Sequence, residues 1–135
     1  MVLDTSALVA FFNSADIAHE LVSSYLADAR SPLVVSPYVV AELDHLVSTR
    51  LGVRSELAVL ESLTSGAWDL EAVSEADLRA AADVIARFAD QNVGITDASL
   101  VVLAARYRTT TIATLDHRHF TVLRSLDGRP FTIVP

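Results

Sequence analysis

The 135-residue sequence predicts an α/β fold: three layers, with a central parallel sheet flanked by helices on both faces. Three observations lead there. Short apolar segments that read as strands alternate with longer stretches of helical periodicity, the pattern of a parallel sheet with crossover helices. One late helical stretch, Asp97 to about Tyr107, is apolar on nearly every side, which marks it as central and buried. No Gly/Ser/Pro linker, repeat or low-complexity tract divides the chain, so residues 1–135 read as one domain.

The elements follow in order. Val2-Leu3 is a short strand that ends in a turn at Asp4. Asp16–Ala29 is an amphipathic helix with Ile17, Ala18, Leu21, Val22, Tyr25, Leu26 and Ala29 on one stripe. Leu33-Val34-Val35 is the next strand, and Ser36-Pro37 supplies an N-cap and a first-turn proline for a helix to about Arg50. Gly52 breaks that helix, and another runs from about Arg54 to Ser65. Trp68–Val73 reads as a strand, and Ser74 opens a helix to about Asp90 whose Arg79, Asp83, Arg87 and Asp90 form a solvated stripe, with Asp83 and Arg87 spaced as an ion pair. Thr96 is expected to cap the buried helix, and Thr111–Thr114 and Phe131–Val134 are the last strands.

Composition excludes several chemistries. There is no cysteine, so disulfides, thiolate metal sites and cysteine nucleophiles are ruled out. All ten basic residues are arginine, which removes Schiff-base, P-loop and lysine-base mechanisms, and with them a receiver domain that needs a lysine after its last strand. Apolar residues make up 52% and charged ones 20%, more apolar surface than one small core hides, so a homodimer or a stable partner is expected. Runs such as Val101–Ala105 fall far short of the roughly 18–20 residues a bilayer needs. The first twelve residues carry Asp4 and no basic flank, unlike a signal peptide, so a cytoplasmic protein is expected. The net charge is −7, with five arginines against fifteen carboxylates up to residue 105 and five against Asp116 and Asp127 beyond it. Such a chain does not hold phosphates by bulk charge.

In open parallel sheets, sites form beyond the carboxyl ends of the strands. Asp4 follows the first strand, Asp116 follows a late one in Thr114-Leu115-Asp116, and Asp97 opens the buried helix. Three carboxylates at one sheet edge repel one another, and a hard divalent cation, Mg²⁺ or Mn²⁺, removes that penalty with oxygen ligands. The plainer alternatives are a helix-start residue for Asp97, a turn or cap before Ala7–Phe12 for Asp4, and a solvated loop for Asp116-His117-Arg118-His119. In the helix after Pro37, Val39, Val40, Leu43, Leu46 and Val47 make the buried stripe, and Glu42 and Asp44 lie on its opposite edges, so periodicity does not choose between them. His117 and His119 are expected at the surface, Arg118 is a candidate RNA-backbone contact, and Trp68, Phe88 and Phe131 are assigned to the core.

Four segments resemble the PIN-domain ribonucleases, and among them the VapC toxins of bacterial toxin–antitoxin pairs. They are Val2-Leu3-Asp4-Thr5-Ser6-Ala7-Leu8, Val39-Val40-Ala41-Glu42-Leu43, Thr96-Asp97-Ala98-Ser99-Leu100, and Thr114-Leu115-Asp116 with Phe120, in the family's order and spacing. The resemblance implies a PIN-like α/β/α fold and a Mg²⁺-dependent endoribonuclease in which Mn²⁺ substitutes. It implies Asp4 and Asp97 as principal metal ligands, Glu42 and Asp116 completing the catalytic pocket, and Ser6 and Thr114 as polar supports. It also implies a small antitoxin partner and, as substrate, an exposed loop of tRNA or rRNA, cut by activated water to leave a 5′-phosphate. The alternative is a non-catalytic PIN-like module that binds RNA or protein. A phosphatase of the haloacid-dehalogenase type fails because its second aspartate would stand at Ser6.

Overall fold

A computed structural model describes residues 1–135. Five short strands, β1 (Val2–Leu3), β2 (Val34–Val35), β3 (Asp69–Leu70), β4 (Thr111–Ala113) and β5 (Thr132–Val134), form one parallel sheet in the order β3-β2-β1-β4-β5. Seven helices connect and flank them: α1 (Thr5–Phe12), α2 (His19–Ala27), α3 (Pro37–Leu51), α4 (Val53–Leu63), α5 (Glu75–Arg87), α6 (Ile95–Arg106) and α7 (His117–Val122). The expected three-layer α/β/α architecture is the one observed.

The strand order places the site. From β1 the chain steps outward to β2 and β3, then returns through α5 and α6 to β4 on the other flank of β1. Leu3 is in register with Val35 on one side and Ala113 on the other, so Asp4, Ser36 and Thr114 leave the sheet at one edge. That reversal between β1 and β4 is where a parallel sheet opens a crevice.

The core is one cluster of 29 buried apolar residues. Helix α6 runs through it with every residue from Ala98 to Ala104 buried, as its all-round apolar sequence requires. One polar contact crosses this core: Ser36 Oγ and Ser99 Oγ lie 2.7 Å apart, joining the start of α3 to α6. Ser99 also reaches the Thr96 carbonyl at 2.7 Å, so its proton goes there and Ser36 donates to it. Trp68 is buried against Phe11 and Phe12, and Phe88 and Phe131 pack against the core.

Several boundaries depart from the sequence reading. Helix α2 starts at His19, because Asp16 turns its carboxylate onto the Ala18 amide (2.9 Å) and holds the preceding residues in a turn. Its apolar stripe divides: Val22 and Leu26 are buried, whereas Ile17 and Leu21 are exposed. Strand β3 shrinks to two residues at the sheet edge, and α5 ends at Arg87. Arg79 pairs with Glu75, and Asp83 and Arg87 form no bridge. Helix α6 is capped from Gly94 instead of Thr96. His117-Arg118-His119, read as loop residues, form the start of α7: the Asp116 side chain accepts from the Arg118 amide and Phe120 is buried beneath.

Two measurements test this account. Leu103→Ala should cost about 2–5 kcal/mol in chemical denaturation, because Leu103 is fully buried in a helix whose neighbouring residues are buried too. Asp77 completes a capping box with Ser74 and pairs with Arg106, and the Ser74 bonds first, then Arg106, hold its carboxyl down at about 2. Its contribution is therefore present above the ordinary value of 3.8 and is lost as pH falls toward 2. Asp77→Asn should flatten that acid limb of the stability profile.

Candidate active site

The ends of β1 and β4 and the starts of α1 and α6 border a cleft of about 540 Å³ lined by Asp4, Glu42, Asp97 and Asp116 together. Their sequence positions span more than a hundred residues, and the parallel register brings them to one edge.

Asp4 stands at the N-cap position of α1, yet its carboxylate makes no cap bond. Its Oδ2 instead accepts from the hydroxyls of Ser6 and Thr114, each at 2.7 Å, while Oδ1 has no protein donor. The two supports are themselves fixed: Leu115 N donates to Ser6 Oγ (2.9 Å) and Asp116 N to Thr114 Oγ1 (3.0 Å). Asp4 and Thr114 are buried. The cap reading of Asp4 is thus displaced by a hydroxyl network that joins adjacent strand ends.

Glu42 faces the cleft and Asp44 does not, which resolves what periodicity left open. Thr5 Oγ1 donates to Glu42 Oε2 at 2.5 Å, and Oε1 has no protein donor. Asp97 serves two ends at once. Its Oδ2 accepts from the Gly94 amide at 3.3 Å, capping α6, and lies 3.1 Å from His119 Nδ1, and its Oδ1 has no protein donor. Burial pushes the Asp97 carboxyl above its ordinary value and the nearby Asp4 charge adds to that push; Gly94 and His119 oppose it without reversing it. Asp116 is the opposite case. Arg118 grips both of its oxygens, at 2.9 and 2.5 Å, and holds its carboxyl down at about 2.

Some expectations change here. The sequence puts three carboxylates at one sheet edge as a set for one cation, but no three acidic or histidine side chains converge on a single point. Each acid is drawn to its own donor: Asp4 to two hydroxyls, Glu42 to Thr5, Asp97 to Gly94, Asp116 to Arg118. Like-charge repulsion favours that separation. His119, expected at the surface, turns inward to Asp97, although His117 is exposed. Arg118 is exposed but engaged by Asp116. Thr5, Asp16, Arg50 and Asn92 also border the cleft and were not singled out. Thr5 sits inside the first motif. The others stand at helix ends or in turns, and no spacing rule links them to the carboxylates.

The donor set fits a hard divalent cation in its chemistry. Three residues of one cleft, Asp4, Glu42 and Asp97, each keep a carboxylate oxygen without a protein donor, and no thiolate is available. A cation there would relieve the repulsion that Asp97 feels from Asp4.

Comparison with known proteins places this geometry. Residues 1–125 match the PIN domain family model. The chain is 53% identical over 135 residues, covering 100% of both sequences, to Ribonuclease VapC26 of Mycobacterium tuberculosis. The crystal structure of Mycobacterium tuberculosis VapC20, described as a sarcin-ricin loop cleaving toxin, superposes with a TM-score of 0.79 at 21% identity, over 85% of this chain and 88% of that one. VapBC2 from Rickettsia felis, bound to a promoter DNA fragment, gives 0.72 at 16% identity over 99% and 98%. These two structures share the fold.

The raised Asp97 carboxyl has a measurable consequence in cation-free protein. A folded-state pKa above the unfolded value contributes stability that is complete below the unfolded pKa, near 3.8, and is lost as pH rises through the folded value. Asp97→Asn removes the half-buried charge. With EDTA present, the variant should match wild type in acid and become the more stable of the two as pH rises toward neutrality, read by thermal unfolding. A variant less stable than wild type at neutral pH would leave the capping bond as the dominant role.

Proposed function

This chain belongs to the PIN-domain family, in its VapC branch, and on that premise we propose that it is a Mg²⁺-dependent endoribonuclease, the toxin of a type II toxin–antitoxin pair, that cuts an exposed loop of structured RNA. The observation that carries the reading is the gathering of Asp4, Glu42, Asp97 and Asp116 in one cleft at the reversal point of the sheet. The 53% identical relative bears the name ribonuclease, which favours that use of the cleft.

Asp4 and Asp97 would be the principal ligands, with Glu42 and Asp116 completing the set; Mn²⁺ would serve in place of Mg²⁺. When bound, the cation supplies an activated water nucleophile and offsets charge on the leaving oxygen. The chain's own residues do the rest. Ser6 and Thr114 fix the free oxygen of Asp4 by holding the other one. Thr5 restrains Glu42, and Gly94 with His119 restrains Asp97. Water as nucleophile leaves a 5′-phosphate and a 3′-hydroxyl. Unstacked loop bases are the part of a folded RNA that such a small acidic protein can reach.

Two partners belong to the proposal. A small antitoxin with a basic segment suits a cleft rich in carboxylates on a chain of net charge −7. A second copy suits the apolar residues left in water, Ile17 and Leu21 on or beside α2 and Val53 and Leu57 on α4.

Purified protein should cut total RNA with Mg²⁺, and EDTA should abolish the activity. Asp97→Asn should lower the rate at least about 100-fold. Sequencing of 5′-phosphate ends should map cuts to few loops of tRNA or rRNA. Cuts spread evenly over all transcripts would refute loop selectivity, and RNA binding without EDTA-sensitive cleavage would favour a non-catalytic module. Light scattering that shows only a 14.5 kDa species in dilute solution would refute the dimer.

A further inference from the structure

The cleft is poorly suited to a polyanion, and that raises the question of what holds RNA in it. Besides the four carboxylates already described, Asp16 also lines it. The positive charge nearby is mostly committed. Arg118 is bound to both oxygens of Asp116, and His119 faces Asp97. One guanidinium on the cleft wall is uncommitted: Arg50, in the last turn of α3, makes no hydrogen bond and no ion pair.

Its freedom is informative because arginines elsewhere in this chain are tied down where they have a structural task. Arg124 donates to the carbonyls of Thr121, Val122 and Leu123, at 2.8–3.0 Å, and so closes the end of α7. Arg106 binds Asp77, Glu71 and the Ala72 carbonyl. Arg50 stands at a helix end as Arg124 does, yet donates to no carbonyl; the end of α3 is closed by the Gly52 amide on the Ser48 carbonyl (3.1 Å). Asp16, the carboxylate that shares both cavities bordered by Arg50, accepts from the Ala18 amide and not from Arg50. Four other arginines, Arg30, Arg54, Arg87 and Arg108, are also unpaired, but none of them lines the cleft.

We propose that Arg50 is a phosphate-binding residue for the RNA substrate: it takes a backbone phosphate at the mouth of the acidic cleft and sets the position of the strand relative to the carboxylates. The proposal rests on the ribonuclease reading above. A planar guanidinium with all its donors free suits two phosphate oxygens at once, and its charge offsets the repulsion that the cleft exerts on the strand. Its place on α3, the helix that also carries Glu42, ties the position of the bound phosphate to that of the carboxylate. The contact is to backbone and carries no base information, so Arg50 positions the RNA and leaves selectivity to loop shape.

The test uses a synthetic RNA stem–loop carrying the cut site mapped by end sequencing. Cleavage is measured with Mg²⁺ over a series of KCl concentrations for wild type, Arg50→Gln, Arg50→Lys and Arg87→Gln. Binding of the same RNA is followed by fluorescence anisotropy in an Asp97→Asn background, with and without Arg50→Gln. Arg50→Gln should raise KM about tenfold with the loss falling on KM more than kcat, and should weaken RNA binding by a similar factor. The slope of log affinity against log salt should become shallower by about 0.7–1, one phosphate contact. Arg50→Lys should restore most of the slope, and Arg87→Gln, which removes an exposed charge away from the cleft, should match wild type. Unchanged KM and salt slope in Arg50→Gln would overturn the proposal while RNA cleavage by wild type keeps the ribonuclease reading intact. A lowered Tm with unmoved RNA binding would assign Arg50 to the α3 dipole, and a defect confined to antitoxin binding would assign it to a protein partner; either overturns the proposal. If wild type cuts no RNA and no site maps, the ribonuclease reading fails and the role of Arg50 fails with it.

Discussion

Two hydroxyls, from Ser6 and Thr114, converge on one oxygen of the buried Asp4 carboxylate, and much of the site's geometry follows from that contact. Asp4 leaves β1 and Thr114 leaves β4, adjacent strands in register at Leu3 and Ala113. The contact therefore fixes how two neighbouring strand ends open away from each other. The amides of Leu115 and Asp116 donate to the same two hydroxyls, so the route from β4 into α7 is set by the same group. A buried carboxylate is costly unless such donors surround it, and here they come from both sides of the crevice.

The four carboxylates differ because their surroundings differ. Asp97 is half-buried beside a second acid, and burial drives its carboxyl upward; Asp116 is exposed enough to be met by an arginine and is driven down to about 2. Neighbouring acids pushed in opposite directions are a frequent property of hydrolytic sites. The separation also has a structural benefit. With Arg118 on Asp116 and Thr5 on Glu42, the protein folds without concentrating its negative charge at one point.

The far end of α6 is held as firmly as the near end. Arg106 bridges to Glu71, the Ala72 carbonyl and Asp77, and Tyr107 donates to Glu71 at 2.5 Å, a bond that first among several causes pushes its phenol up to about 12. These contacts anchor the helix to the connection between β3 and α5, and the buried residues Ala98–Ala104 prevent it from sliding. Asp97 is thus the first-turn residue of a helix fixed at both ends, so its carboxylate is held at a defined place in the cleft.

The sequence by itself determined the architecture: the alternation of short apolar runs with periodic stretches gives the parallel α/β sheet, and the all-round apolar α6 gives its buried centre. It determined that Asp4, Asp97 and Asp116 stand at strand or helix ends, because local chemistry places turns and caps there. What only the tertiary structure decided concerns choices that local rules leave equal. Periodicity sets Glu42 and Asp44 on opposite edges of one stripe; the motif resemblance favours Glu42, and packing of α3 against α1 is what turned it to Thr5. The start of α2 depended on a turn at Asp16, and α7 on the burial of Phe120, contacts that no hydrophobic period encodes. His119 and Arg50 have no motif at all. One turned inward and the other stayed free because of which side chains arrived opposite them from distant parts of the chain, and such meetings are a property of the assembled sheet, not of any stretch of residues.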